Sequence, residues 1–228
     1  MIDSHVPVAV SGRELDPRYV NHAASLPYGL SVSQVAEGVR ETYRLFDGIN
    51  NYLVSNQFRP LEELVLGNSL SGLISEFLVK NIGRASTTLV ANQKVGGHPD
   101  LLPKDKYPSG SVLKGTEGIE LKTSMQKGGW QGHNPEKCWV MIFRYTVGEQ
   151  PDGKRLPLTF TEILCGRLLK SDWSYSGRKG RSRRTPTASI TSSGVEKLRG
   201  NFLYRIPGVG VRRRRSILAT AETPDHSN

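Results

Sequence analysis

Residues 96–124 open on Gly-Gly-His-Pro-Asp, run through a polar stretch, and close on Gly-Thr-Glu-Gly-Ile-Glu-Leu-Lys-Thr-Ser. Side chains alternate along a strand, so Glu120 and Lys122 share one face, roughly 7 Å apart along it. Leu121 then points the other way, into a core. A hairpin-like connection between Val95 and Glu117 brings Asp100 beside Glu120, and two carboxylates meet.

Such a pair is costly unless a divalent cation sits between its members or one of them takes a proton. Magnesium prefers an oxygen-rich octahedral site that keeps several waters, and Asp100, Glu120 and a backbone carbonyl, that of Leu121, provide one. Lys122 beside that metal can orient an attacking water and stabilise its hydroxide form, which is the chemistry of phosphodiester hydrolysis. Pro-Asp recurs at Pro151-Asp152 and Pro224-Asp225, the former in turn chemistry, but of all the glutamates in the chain only Glu120 is followed two places later by lysine. The plain alternative is an exposed strand with a Glu and a Lys on its wet face.

The arrangement resembles the PD-(D/E)xK nuclease superfamily, and within it the type II restriction endonucleases, through Pro99-Asp100 and Glu120-Leu121-Lys122. The resemblance covers about residues 69–146. It implies a restriction-endonuclease-like α/β (α+β) core, with a mixed central β-sheet flanked by helices and an N-terminal helical region. It also implies a magnesium-dependent endodeoxyribonuclease that cuts a short duplex DNA site as a homodimer, paired with a cognate DNA methyltransferase. Its catalytic set is Asp100, Glu120 and Lys122, with Glu76 on the preceding helix as a further catalytic candidate. Repair nicking enzymes and junction resolvases of the superfamily use the same residues. From another class, a non-catalytic basic nucleic-acid-binding protein competes with this reading.

Composition agrees with a polyanionic partner: 31 Lys and Arg face 21 Asp and Glu, giving a net charge of +10 in 228 residues. The length fits one domain, or a core with a helical extension. Two cysteines, Cys138 and Cys165, lie in apolar strand-like runs and make no disulfide framework. Neither Cys-x-x-Cys nor His-x-x-x-His occurs, so zinc has little support. No apolar run reaches membrane-spanning length and the N-terminus has no signal-like pattern, so a cytoplasmic protein is expected. His133-Asn134 raises an HNH nuclease, but no second histidine follows until His226.

Along the chain, residues 1–60 are expected to be an arm and helical region, a dimerisation surface; 61–210 the nuclease core; and 211–228 a basic, then polar, flexible tail. Ser31 and Gln34 have capping-box spacing ahead of Val32, Val35, Val39, Tyr43 and Phe46, with Asp47-Gly48 as an interruption. A short helix over 60–66 stops at Gly67, and a buried helix over 69–82 ends at Gly83. Strands are expected over 87–95, 138–147, 156–169 and 202–206, with Ser193 capping a short helix between the last two. The polar stretch 101–115 offers Lys104, Lys106 and Lys114 to nucleic acid. In the glycine-rich stretch 125–134, Lys127, Trp130, Gln131, His133 and Asn134 carry groups that read or stack on bases. Segment 178–184, with Arg178, Lys179, Arg181, Arg183 and Arg184, is assigned to DNA contact, and Trp173 and Tyr175 just before it offer stacking or packing surfaces.

Overall fold

The computed structural model describes residues 12–132, 134–148, 157–175, 177 and 187–208. Helix α1, Val32–Ser55, begins with the expected capping box: Gln34 N–H donates to Ser31 Oγ at 3.2 Å, and Ser31 N–H to Gln34 Oε1 at 3.0 Å. Asp47-Gly48 does not interrupt it. An exposed helical glycine costs only about 1 kcal/mol, and Asp47 is occupied by the Arg13 guanidinium, whose Nε lies 2.9 Å from Oδ2.

Helix α2, Leu61–Leu64, is followed by α3, Gly67–Ala85. Gly67 therefore starts a helix where a stop was expected, and Gly83 lies inside one. The reason at Gly83 is packing: a Cβ there would sit 2.7 Å from the Ala91 backbone N, so the glycine lets the helix press on a strand. Gly38 plays the same part between helices, since a Cβ would meet Ile82 Cγ1 at 2.5 Å. There α1 and α3 cross.

The strands are β1 Leu89–Ala91, β2 Leu101–Pro103, β3 Ile119–Ser124, β4 Gln131–Gly132, β5 Cys138–Thr146, β6 Thr159–Leu168, β7 Trp173–Tyr175, β8 Ala188–Ile190 and β9 Phe202–Arg205, with α4, Ser192–Arg199, before the last. The first strand is shorter than the 87–95 expected, and the polar stretches 101–115 and 125–134 each contain a strand. Thr191, not Ser193, caps α4, through Gly194 N–H at 3.2 Å. Six strands form a mixed sheet in the order β1-β2-β3-β5-β6-β9, in which only β3 and β5 run parallel; β4, β8 and β7 form a second, antiparallel sheet. The class is mixed α/β.

Strand alternation sorts two cores. Leu121, Met141, Phe143, Ile163 and Cys165 pack with Val35, Val39 and Phe46 of α1 and Leu70, Ile74 and Leu78 of α3. Val140, Ile142 and Leu164 face the other way, against Trp130, Trp173, Ile190, Val195 and Leu198. β5 is thus buried on both faces, as its near-continuous apolar run requires. The arm lies along β9, with Asn21 N–H donating to Leu203 O at 2.8 Å. Both cysteines are free thiols. Among the described residues no helix is long and apolar enough to cross a membrane.

Candidate active site

The parallel register sets Glu120 beside Val140 and Lys122 beside Ile142. Both polar side chains therefore lie on the sheet face that carries the small sheet and α4, while Leu121 is buried under α3 on the other. β2 pairs with β3 through Leu101 and Ile119 alone. One step further the Asp100 carboxylate takes the place of a strand neighbour, Oδ2 accepting the Leu121 N–H at 2.7 Å. N–H and C=O of one strand residue point to the same edge, so the Leu121 carbonyl lies on the Asp100 side.

Asn92 fixes the loop that presents Asp100. Its amide donates to Pro99 O and Val112 O, both at 2.9 Å, and its backbone N–H to Asp100 O at 2.8 Å. Glu120 is held at both oxygens, Oε1 by Lys122 Nζ at 3.2 Å and Oε2 by His98 Nδ1 at 2.7 Å. The far nitrogen of His98, Nε2, lies 2.8 Å from Glu136 Oε2.

These neighbours separate the two carboxylates electrostatically. Burial, and then the charge of Glu120, push Asp100 up to about 7, against the Leu121 N–H and Lys122. Burial also works against the charge of Glu120, but the hydrogen bond from His98 and the charge of Lys122 outweigh it and hold Glu120 at about 2. His98 is raised, first by its bond to Glu120 and then, against burial, by the charges of Glu120, Glu136 and Asp100. Burial and the charges of Glu136 and Glu120 push the nearby Cys138 thiol up to about 12, which leaves it neutral and unsuited to nucleophilic work.

The donor set fits magnesium. Asp100, Glu120 and the Leu121 carbonyl offer oxygen only, and a divalent cation between the two carboxylates would offset the repulsion that opposes ionisation of Asp100. Among the described residues no group of three or more His, Cys, Asp or Glu side chains forms a metal-holding cluster. The two carboxylates of this donor set fall below that number.

Other sequence candidates fall elsewhere. Glu76 does not join the site: its side chain is 69% exposed, Oε2 3.9 Å from Lys80 Nζ, on the helix that packs against the opposite sheet face. Trp130 is 2% exposed within the second core, its Nε1–H donating to Gln126 O at 3.2 Å, so it is no stacking platform. Trp173 is buried there too, whereas Tyr175 is exposed. Lys127, Gln131 and Asn134 are exposed on the β3–β5 connection, as are Lys104, Lys106 and Lys114 on the 101–115 stretch, where Lys106 pairs with Glu117 at 2.7 Å. His133, Arg178, Lys179, Arg181, Arg183 and Arg184 lie outside the described residues.

Two features escaped the sequence. Glu136 has no motif around it and is noticed only because His98 reaches it. Glu162, fully buried, accepts Arg144 Nη1 at 2.8 Å and Arg205 Nε at 2.9 Å, with Arg199 Nε at 3.4 Å. Arg144 Nε in turn donates to Gln126 O at 3.0 Å and Arg199 Nη2 to Lys127 O at 2.7 Å, so this hub bolts the loop after β3 to the sheet. Comparison with family models, curated proteins and solved structures gave no match.

Proposed function

We propose that the chain is a magnesium-dependent endodeoxyribonuclease of the type II restriction kind, which hydrolyses phosphodiester bonds in duplex DNA at a short specific site. The observation that supports it best is the convergence of Asp100 on the Glu120–Lys122 edge of β3, with the Leu121 N–H on Asp100 and the Lys122 ammonium on Glu120. A six-stranded mixed sheet with a helix pair on one face suits a restriction-endonuclease-like core.

In this reading Asp100, Glu120 and the Leu121 carbonyl would hold Mg2+, and the chemistry it would supply there is polarisation of the scissile phosphate. Lys122 orients the attacking water and favours its hydroxide form. The exposed Lys127, Gln131 and Asn134, on a loop pinned by Arg144 and Arg199, reach toward the duplex. Cutting both strands takes two centres, hence a homodimer, and a host chromosome carrying the same site requires a cognate methyltransferase.

The test is incubation with plasmid in magnesium and in EDTA. Discrete fragments in magnesium alone are expected, and their ends define the site. Binding without cleavage under all divalent conditions would leave the non-catalytic nucleic-acid-binding reading in its place, and nicks restricted to one strand would point to a repair nickase.

A further inference from the structure

His98 lies between two carboxylates, Nδ1 on Glu120 and Nε2 on Glu136, at 2.7 and 2.8 Å. Its main chain is pinned as well: the His98 N–H donates to Leu113 O at 3.1 Å, and His98 O accepts the Gly115 N–H at 2.6 Å. The imidazole is rigid, so a bond at Nε2 fixes where Nδ1 aims. Nothing in the hydrolytic chemistry above uses Glu136.

A carboxylate that ligates a cation must present one oxygen in a fixed direction, and outer hydrogen-bond partners commonly impose that direction. Lys122 is flexible and has catalytic work of its own, so it orients Glu120 poorly. His98, fixed at backbone and ring, is suited to the task.

We infer that Glu136 and His98 form an outer relay that positions the Glu120 carboxylate for the divalent cation. This rests on the metal site proposed above. Neither residue bonds the cation; His98 acts on Glu120, and Glu136 acts on His98. The opposite role is competition, in which His98 occupies an oxygen the cation needs and its removal tightens metal binding.

The test is Mn2+ binding to the full chain without DNA, measured by calorimetry and by the loss of the free-ion electron paramagnetic resonance signal. His98→Ala should weaken Mn2+ affinity about 10–100-fold. Side-chain geometry then supplies a discriminating pair. The amide nitrogen of Asn superimposes on Nδ1 and that of Gln on Nε2, so His98→Asn keeps the bond to Glu120 and His98→Gln keeps the one to Glu136. His98→Asn should stay closer to wild type than to His98→Ala, while His98→Gln should resemble His98→Ala. Glu136→Ala should weaken affinity and Glu136→Gln, which keeps an acceptor oxygen, should restore it; this pair carries the test if His98→Ala does not fold.

Wild-type or tighter affinity in a folded His98→Ala overturns the relay, the tighter result establishing competition. His98→Asn as weak as His98→Ala overturns it too, as does unchanged affinity in Glu136→Ala. Asp100→Ala separates the two levels of the argument. If it loses Mn2+ while His98→Ala does not, the relay fails and the metal site stands; if it binds like wild type, the metal site is misassigned and the relay falls with it.

Discussion

Glu162 is the residue whose loss the fold should tolerate least. Its carboxylate is 0% exposed, and the Arg144 guanidinium it neutralises is 5% exposed. In Glu162→Gln the shape and one acceptor oxygen remain, but an amide NH2 now faces a guanidinium and the charge of Arg144 stays buried without a counter-ion. Removing one partner of a buried pair costs about 3–5 kcal/mol. Arg205 and Arg199 add little, being 30% and 25% exposed, and Arg199 lies 3.4 Å away; partly exposed pairs are worth about 0–1 kcal/mol. A stability of about 5–15 kcal/mol would lose a large share, and at about 2–4 °C per kcal/mol for this size the midpoint should fall by roughly 6–20 °C. The assay is thermal and urea unfolding followed by tryptophan fluorescence, since Trp130 and Trp173 are buried in one core. Arg205→Ala is the control. It leaves the Arg144–Glu162 bond in place, removes a partly exposed pair and a stack on Phe202 at 4.6 Å, and should cost about 1–2 kcal/mol. A Glu162→Gln protein within 1 kcal/mol of wild type, or an Arg205→Ala that costs as much as Glu162→Gln, would refute the reasoning.

The active-site variants should separate chemistry from binding. Asp100→Ala, Glu120→Ala and Lys122→Ala are each expected to lower the cleavage rate at least about 10²–10³-fold, with DNA affinity in EDTA unchanged or tighter for the two that remove a carboxylate; one variant cutting at the wild-type rate would show the centre to be misassigned. Glu76→Ala should alter stability by no more than about 0.5 kcal/mol and leave cleavage untouched, because its side chain stands in solvent; a tenfold rate loss would contradict that placement. In EDTA, Asp100 holds its proton more tightly when folded, at about 7, than when unfolded, at the ordinary 3.8. Its contribution to stability is therefore full below about pH 4 and is lost as pH rises through 7. Wild type minus Asp100→Asn, from urea melts at pH 5, 6, 7 and 8, should show that loss, and magnesium should suppress it by favouring the carboxylate; parallel pH profiles would sink the assignment.

What could be read from the chain alone was what local pattern encodes. The capping box at Ser31 and Gln34 needs only adjacent residues, and β5 announces itself as a long apolar run buried on both sides. For Asp100 and Glu120 the sequence offers only two residue types and a loop between them, and the Leu121 N–H on Asp100 is the bond that makes the pairing physical. The misread boundaries share one cause. Gly67, Gly83 and the Asp47-Gly48 pair look like stops because glycine is a poor helix former, but packing against Ala91 at Gly83 and the Arg13 bond at Asp47 are tertiary contacts that propensity cannot see. Trp130 follows the same rule: a tryptophan among glycines resembles a stacking loop until β8 and α4, some sixty residues later, fold over it.

Glu136 and Glu162 show what kind of residue stays hidden. Neither sits in a motif, and each matters through partners distant in sequence: His98 for the one, Arg144, Arg199 and Arg205 for the other. Both act on the same strand from opposite ends. Glu136 reaches Glu120 through His98, and Glu162 reaches the loop after Ser124 through Arg144 and Arg199. The Glu120–Lys122 row of β3 and the loop after it are thus held by two buried or half-buried glutamates. The consequence is a separable phenotype. Loss of Glu162 should loosen the Gln126–Lys127 backbone and weaken duplex binding without changing Mn2+ affinity, whereas loss of Glu136 should do the reverse, because each glutamate holds a different end of one strand.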